Sequence, residues 1–296
     1  MQLSKEFKSA VLTALQQDRQ NYGGSDAAFS KKWSINSSVY SRMLKGETEG
    51  LIKDAQWLNI GRELNVMIGE RKWNVAKTQV YIEMFDNLQF CQEHSQSMLL
   101  VDDTSIGKSF CGKHICRSLK NAFYLDCSQA KTKQLFIRTL AKTIGVDNSG
   151  KYSEVKANLK YYLKQLKQPL IVLDEAGDLE YNAFLEVKEL WNATEDACGF
   201  YLMGADGLEA KINSGIDRKK VGFREILSRF NNHYLHIVPL VKADKNSFYR
   251  QLITDVLSVN CNNKSIIPKL VKQCMGNEED GKIGGLRRAK ALLQLN

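Results

Sequence analysis

The stretch Met98-Leu-Leu-Val-Asp-Asp-Thr-Ser-Ile-Gly-Lys-Ser109 sets an apolar run directly before a short polar loop and a Gly-Lys-Ser triplet. Such a run followed by a glycine that opens a helix reads as strand, loop and helix start, the setting a phosphate-binding loop requires. Backbone N–H groups at the helix start, together with the helix dipole, would cradle β- and γ-phosphates. The residues at this junction are Thr104, Ser105, Ile106, Gly107, Lys108, Ser109 and Phe110. Lys108 would bring positive charge to those phosphates, and the Ser109 hydroxyl would ligate Mg²⁺. The match to GxxxxGK[ST] is imperfect, because Asp102 stands at the first glycine position. That removes the residue most tolerant of unusual backbone angles and adds a carboxylate near an anion site.

A second apolar run, Gln168-Pro-Leu-Ile-Val-Leu-Asp174-Glu175, also ends in polar residues, here two acids. By itself it could be a strand that ends in solvent. Downstream of the first motif, with room for two crossover units between them, it completes a nucleotide site at the C-terminal edge of a sheet. Asp174 would hold Mg²⁺ through its water shell, and Glu175 would polarise the attacking water. Strands are expected at Ser97–Val101, Ala122–Asp126, Pro169–Asp174, Gly199–Gly204 and Tyr234–Val238. Their near-continuous apolar centres predict a parallel sheet covered on both faces, hence an α/β class. After Pro239 the chain reads as helical to its end, apart from a Gly-rich interruption at Gly281–Gly285.

The first 67 residues carry helical spacing and no strand signal. Phe7, Val11, Leu12 and Leu15 repeat at helical intervals, Gly23-Gly24 interrupt, and Ser25-Asp26 make an N-cap. Two short helices follow, one over Ala27–Trp33 and one from Asn36 or Ser37 to Lys45, and a fourth helix is expected over Leu51–Met67. Residues 27–46 have the form of a repressor-type helix-turn-helix, with Ala28, Phe29, Trp33, Val39 and Met43/Leu44 as its core. Its second helix would offer Ser37, Ser38, Tyr40, Ser41, Arg42 and Lys45 to a DNA major groove. Hydroxyls with two cations suit phosphate and sugar contacts better than a base code. The competing use of such a bundle is protein docking. The expected organisation is a helix-turn-helix domain over 1–67, a linker over 68–78, an α/β core over 79–240 and a helical lid over 241–296.

Forty-two Lys and Arg against 33 Asp and Glu leave a net charge of +9, which favours an anionic partner. Six bases between Lys211 and Arg229 (Lys211, Arg218, Lys219, Lys220, Arg224 and Arg229) face only Asp217 and Glu225, so part of this segment, Lys219 and Lys220 above all, is expected to line a DNA-facing surface. Seven cysteines without a CxxC pair point to buried reduced thiols rather than a disulfide framework or a zinc site. With no signal-peptide pattern at the start and no apolar run of about 18 residues, the expectation is a cytoplasmic protein without a membrane partner.

Three further segments complete the pattern: Ala205-Asp206 after the fourth strand, Phe223-Arg224-Glu-Ile-Leu-Ser-Arg229-Phe230 before the fifth, and Gly284-Gly285-Leu-Arg287-Arg288 opening the last helix. In that order, and behind the N-terminal helices, the chain resembles the AAA+ transposition regulators, the family of the phage Mu B protein. The resemblance implies a P-loop AAA+ core with a small lid, ATP and Mg²⁺ as cofactors, and slow hydrolysis stimulated by DNA or a partner. It further implies a homo-oligomer, ring or filament, on double-stranded DNA of any sequence, delivering that target to a transposase. Arg229, with Arg224 as the alternative, takes the role of the arginine that reaches a neighbour's γ-phosphate. Arg287 takes that of the second sensor, which leaves Arg288 for solvent or DNA. Ala205 departs from the family's polar first sensor and leaves Asp206 as the nearest candidate; with Asp102, it bears on hydrolysis more than on ATP binding. Two other readings stand beside this one: a helicase loader or replication initiator, and a nucleotide-dependent DNA scaffold without turnover.

Overall fold

Four of the apolar runs become parallel strands in a computed structural model that describes residues 3–64, 66, 73–275 and 283–295. They are β1 (Ser97–Val101), β2 (Ala122–Asp126), β3 (Leu170–Asp174) and β4 (Gly199–Gly204), side by side in the order β1-β4-β3-β2. Because successive side chains leave a strand on opposite faces, each run feeds two cores at once. Leu99, Phe123, Ile171, Leu173, Phe200 and Leu202 face one core, while Leu100, Leu170, Val172, Tyr201 and Met203 face the other.

Helices cover both faces. The chain begins with α1 (Lys5–Asn21), α2 (Asp26–Lys32), α3 (Ser37–Leu44) and α4 (Asp54–Glu63), followed by α5 (Gln79–His94). After β1 come α6 (Lys108–Ser118), α7 (Lys133–Ile144), α8 (Tyr152–Gln165), α9 (Tyr181–Ala193), α10 (Asp206–Asp217) and α11 (Phe223–Arg229). The chain ends with α12 (Lys242–Asn260), α13 (Ile267–Met275) and α14 (Gly285–Leu295). Helices α7 to α11 pack on the first face, and α5, α6 and α12 to α14 on the second. Each fully buried Leu, Ile, Val or Phe in these layers contributes about 1.5–3 kcal/mol. The fourth N-terminal helix is shorter than the expected Leu51–Met67, with Thr48 buried in the polar approach to it; Met67 lies outside the described residues.

The expected fifth strand, Tyr234–Val238, is not a strand. Only Leu235 bridges β1, donating to the Leu99 carbonyl at 2.8 Å and accepting from Val101 N–H at 3.0 Å. Past this bridge the N–H groups of Ile237 and Val238 do not go to a β1 carbonyl. The Asp102 carboxylate replaces it, with Oδ2 accepting from Ile237 N–H at 2.5 Å and Val238 N–H at 3.0 Å. The acid at the first glycine position is therefore a buried backbone brace whose oxygens are already committed. Asp102→Ala strands two buried N–H groups, and we expect it to cost roughly 2–4 kcal/mol in denaturant unfolding, against almost nothing for an exposed acid such as Glu154.

The N-terminal helices have their own core of Val11, Leu15, Phe29, Trp33, Tyr40, Met43, Trp57 and Ile60. Side chains of Ser4, Ser25 and Asn36 cap the first three helices. This unit is fastened at the β2 edge of the sheet, through α7, α8 and the turn before β2. Tyr22 Oη lies 3.0 Å from Tyr162 Oη, Asn121 N–H donates to the Asn21 carbonyl, and Lys142 pairs with Glu63 at 2.5 Å. Of the expected linker, residues 68–72 lie outside the described residues. The part from 73 to 78 is tied to the end of α12, where Asn74 and Asn260 exchange side-chain and backbone hydrogen bonds. All seven cysteines are buried free thiols. Among the described residues no helix is long and apolar enough to cross a membrane.

Candidate functional site

The loop after β1 turns sharply at two positions of positive φ, Ser105 (63°) and Gly107 (102°), and Gly107 then caps α6. Glycine meets this backbone demand at Gly107 without cost, whereas Ser105 holds the left-handed region at a cost of about 1–3 kcal/mol, as side chains at ligand clamps commonly do. Ile106 is buried and anchors the loop, while Thr104 and Phe110 are exposed and Ser105, Gly107 and Ser109 are half-buried. Lys108 is buried, and its Nζ donates to the carbonyls of Asp102 (2.8 Å) and Asp103 (2.7 Å). Burial pushes the Lys108 ammonium below its ordinary value, and the charges of Asp102, Glu175, Asp174 and Asp103 pull the other way. This cation rests on loop carbonyls that triphosphate oxygens can replace.

Two strands away, β3 delivers its acids. Asp174 is 2% exposed, takes a short hydrogen bond from Tyr124 Oη, and accepts Glu175 N–H at 2.9 Å. The register pairs Tyr124 with Val172 and Asp126 with Asp174, so the tyrosine and the acid share one face. Glu175 is exposed, with φ 49°, and opens the 3₁₀ turn Ala176–Asp178. Partial desolvation, then the adjacent Asp174 charge, raises the Glu175 carboxyl above its ordinary range, against the pull of Lys108. The Ser109 hydroxyl and Asp174 carboxylate are hard oxygen donors of the kind Mg²⁺ takes, and so the residues fit that ion.

The C-terminal helices α12 and α14 reach the same loop. Asp103 Oδ2 lies 2.5 Å from Lys245 Nζ and accepts Tyr249 Oη at 2.9 Å, both from α12. Partial burial opposes the Asp103 charge, but Lys245 and Tyr249 hold its carboxyl below the usual range. Leu286 N–H donates to the Ser105 carbonyl at 2.8 Å, which sets the start of α14 against the loop. Arg287 is exposed on that first turn, whereas Arg288 is turned back to the Gln273 carbonyl at 2.9 Å. Ala205 and Asp206 line a cleft of about 340 Å³ beside Asp103, Thr104, His236 and Lys245.

The other basic residues divide. Arg229 is engaged inside its own chain: Nε donates to Asn192 Oδ1 and Nη1 to the Glu225 carbonyl, both at 2.7 Å, and its guanidinium lies over Trp191. Arg224 on the same helix is exposed. Lys219 is exposed at φ 52°, and Lys220 sits over the Tyr181 ring. Lys211 departs from the basic surface, since its Nζ turns inward to the carbonyls of Gly177 and Leu179.

On α3, Ser37, Ser38, Ser41, Arg42 and Lys45 are exposed, and Arg42 pairs with Glu47 at 2.6 Å. Tyr40 is a correction. It is 1% exposed and packs on Phe29, so it belongs to the helical core and not to the outward face. Burial pushes its hydroxyl up to about 12. Spacing explains the reversal, because Tyr40 stands three residues before buried Met43 on one helical stripe. The same geometry leaves Leu44 42% exposed, so of the Met43/Leu44 pair only Met43 serves the core.

Sequence reasoning missed Asp103, Tyr124, Lys245 and Tyr249. Tyr124 becomes legible once β2 is known to neighbour β3. The other three depend on where α12 lands, which no local pattern reports.

Residues 91–212 match the AAA domain family. No curated protein matches the sequence. Among solved structures the chain is similar to NtrX from Brucella abortus in complex with ATP, at 11% identity and a TM-score of 0.46, over 88% of this chain and 59% of that one. The chain thus spans less than two thirds of that structure's length. The architecture is a four-stranded parallel α/β sheet covered by helices on both faces and preceded by a helical N-terminal region, and the AAA domain match lies on the sheet-bearing part.

Proposed function

We propose that this P-loop AAA+ chain is an ATPase that assembles on duplex DNA in its ATP-bound state and regulates transposition by presenting the bound target to a transposase. The observation that carries the reading is the joining of two parts. A helix pair with an outward Ser37, Ser38, Ser41, Arg42 and Lys45 face is fixed, through Tyr22, Asn21 and Glu63, to the domain that bears Lys108, Asp174 and Glu175. A net charge of +9 supports a polyanionic partner, and contacts made by hydroxyls and cations support low sequence preference. The transposase step has its support in the order of the motifs along the chain.

The residues divide the work of hydrolysis. The loop N–H groups and Lys108 bind and orient the triphosphate. Ser109 and Asp174 would hold Mg²⁺, which neutralises charge on the β- and γ-oxygens when bound. Glu175 accepts the proton of the attacking water, and partial desolvation with the adjacent Asp174 charge makes its carboxylate more basic than an ordinary glutamate's. Arg224, exposed where Arg229 is retained internally, is the arginine we assign to a neighbouring subunit's γ-phosphate. An arginine donated across a boundary makes nucleotide binding and assembly one linked equilibrium. The alternative of a scaffold without turnover leans on Asp102, yet both carboxylate oxygens are held by backbone amides, Oδ2 by those of Ile237 and Val238 and Oδ1 by that of Asp103.

Sedimentation of the full chain with a long random duplex tests assembly. ATP, and not ADP, should produce DNA-bound oligomers; monomers on DNA under both nucleotides would remove the reading. In the same preparation, reversing Arg42 and Lys45 to Glu should weaken binding to all sequences alike. The log–log salt slope should become shallower by about two, roughly one for each phosphate that is no longer neutralised. An unchanged slope would take α3 off the DNA.

A further inference from the structure

Lys211 lies midway along α10, in the basic stretch, yet it is half-buried and its ammonium is turned inward. Its Nζ donates to the carbonyl of Gly177 at 2.8 Å and to that of Leu179. Charge pairing does not explain this placement, because Asp178 is already paired with Lys131 Nζ at 2.8 Å. The turn's own hydrogen bonds do. Asp178 N–H donates to the Glu175 carbonyl and Leu179 N–H to that of Ala176, which leaves the carbonyls of Gly177 and Leu179 in need of an outside donor. Lys211 fills that need, and burial lowers its pKa against the pull of Asp178 and Glu180. A second tie joins the same two pieces. Gly177 approaches α10 so closely that an added Cβ would meet the Leu208 backbone at 3.3 Å. The turn that opens at Glu175, in a left-handed conformation other residues rarely adopt, is thus fastened to α10 by packing at Gly177 and by the Lys211 ammonium.

We propose that Lys211 is a positioning residue for hydrolysis: by holding the carbonyls of Gly177 and Leu179 it fixes the turn that aims Glu175 at the attacking water. The inference rests on the reading of Glu175 as the base. It also gives α10 a mechanical role, since the helix runs from Asp206 beside the phosphate loop to the exposed cations at Arg218 and Lys219.

The test uses the full chain with Mg-ATP and duplex DNA, comparing wild type, Lys211→Met and Lys211→Arg in steady-state hydrolysis and in binding of a fluorescent ATP analogue. For Lys211→Met, kcat should fall about tenfold or more, as for other groups that orient a site from behind it. KM and analogue affinity should stay within about twofold, and Lys211→Arg should recover most of the rate. Wild-type kcat in Lys211→Met overturns the proposal. So does a parallel loss of rate and ATP affinity that arginine does not rescue, since a merely structural role would move both. A wild-type protein that binds ATP and hydrolyses none removes the ATPase reading and this inference with it, an outcome distinct from the failure of Lys211 alone.

Discussion

Glu175→Gln keeps ATP bound and stops its turnover: kcat is expected to fall about 10²–10⁴-fold, with ATP affinity nearly unchanged. The amide occupies the same volume at the mouth of the site but cannot accept a proton from water. Glu175 is not part of the phosphate cradle, which is built from the 102–109 segment, and it acts on Lys108 there through charge. The pH dependence gives an independent check. Partial desolvation and Asp174 raise the Glu175 carboxyl, so its basic form is lost at a higher pH than an ordinary glutamate's. Hydrolysis should therefore decline as pH falls through a range above the usual carboxylate region, and the residual rate of Glu175→Gln should lack that limb. A variant that keeps the wild-type rate would assign the proton to another group, and Asp174 is committed to Tyr124 and to the Glu175 amide.

Lys108→Ala should weaken ATP binding by about 10²–10⁴-fold, since it removes two charge-assisted hydrogen bonds at about 1.5–3 kcal/mol each. The ammonium is buried and satisfied by the Asp102 and Asp103 carbonyls, so it stands ready behind the loop and needs only to exchange those acceptors for phosphate oxygens. The fold should survive, because the core beneath the loop depends on Ile106 and on the bracing of Asp102 rather than on Lys108. Isothermal titration with Mg-ATP reads the affinity, and thermal unfolding checks the fold. Binding that survives within about tenfold would mean that backbone amides alone hold the nucleotide.

Much of this fold is legible in the sequence because its strands are buried on both faces and carry apolar runs that stop at polar loops. Ser97–Val101 and Ala122–Asp126 begin and end where those runs do. Tyr234–Val238 misleads for the same reason: it is largely apolar and adjacent to β1, but past the Leu235 bridge its N–H groups go to the Asp102 carboxylate and not to β1 carbonyls. Within the site, the residues we assign to phosphate, metal and the attacking water follow from local spacing, and so Gly107, Lys108, Ser109, Asp174 and Glu175 could be named from the chain alone. The groups that brace them come from elsewhere. Lys245 and Tyr249 reach Asp103 from far along the chain, and Lys211 reads as one cation among six until its carbonyl partners are placed. Tyr40 shows the limit in the helical domain, where a tyrosine in a polar helix suits an outward face equally well until its neighbours are known.

The most direct measurement is affinity for a random-sequence duplex at one fixed salt concentration, with ATP, with ADP and without nucleotide, in wild type and Lys108→Ala. An ATP-gated DNA clamp requires that ATP tighten wild-type binding and that Lys108→Ala lose this response while keeping its nucleotide-free affinity. Binding that ignores nucleotide in both proteins would contradict it, leaving a DNA-contacting helical domain joined to a nucleotide fold that does not govern it.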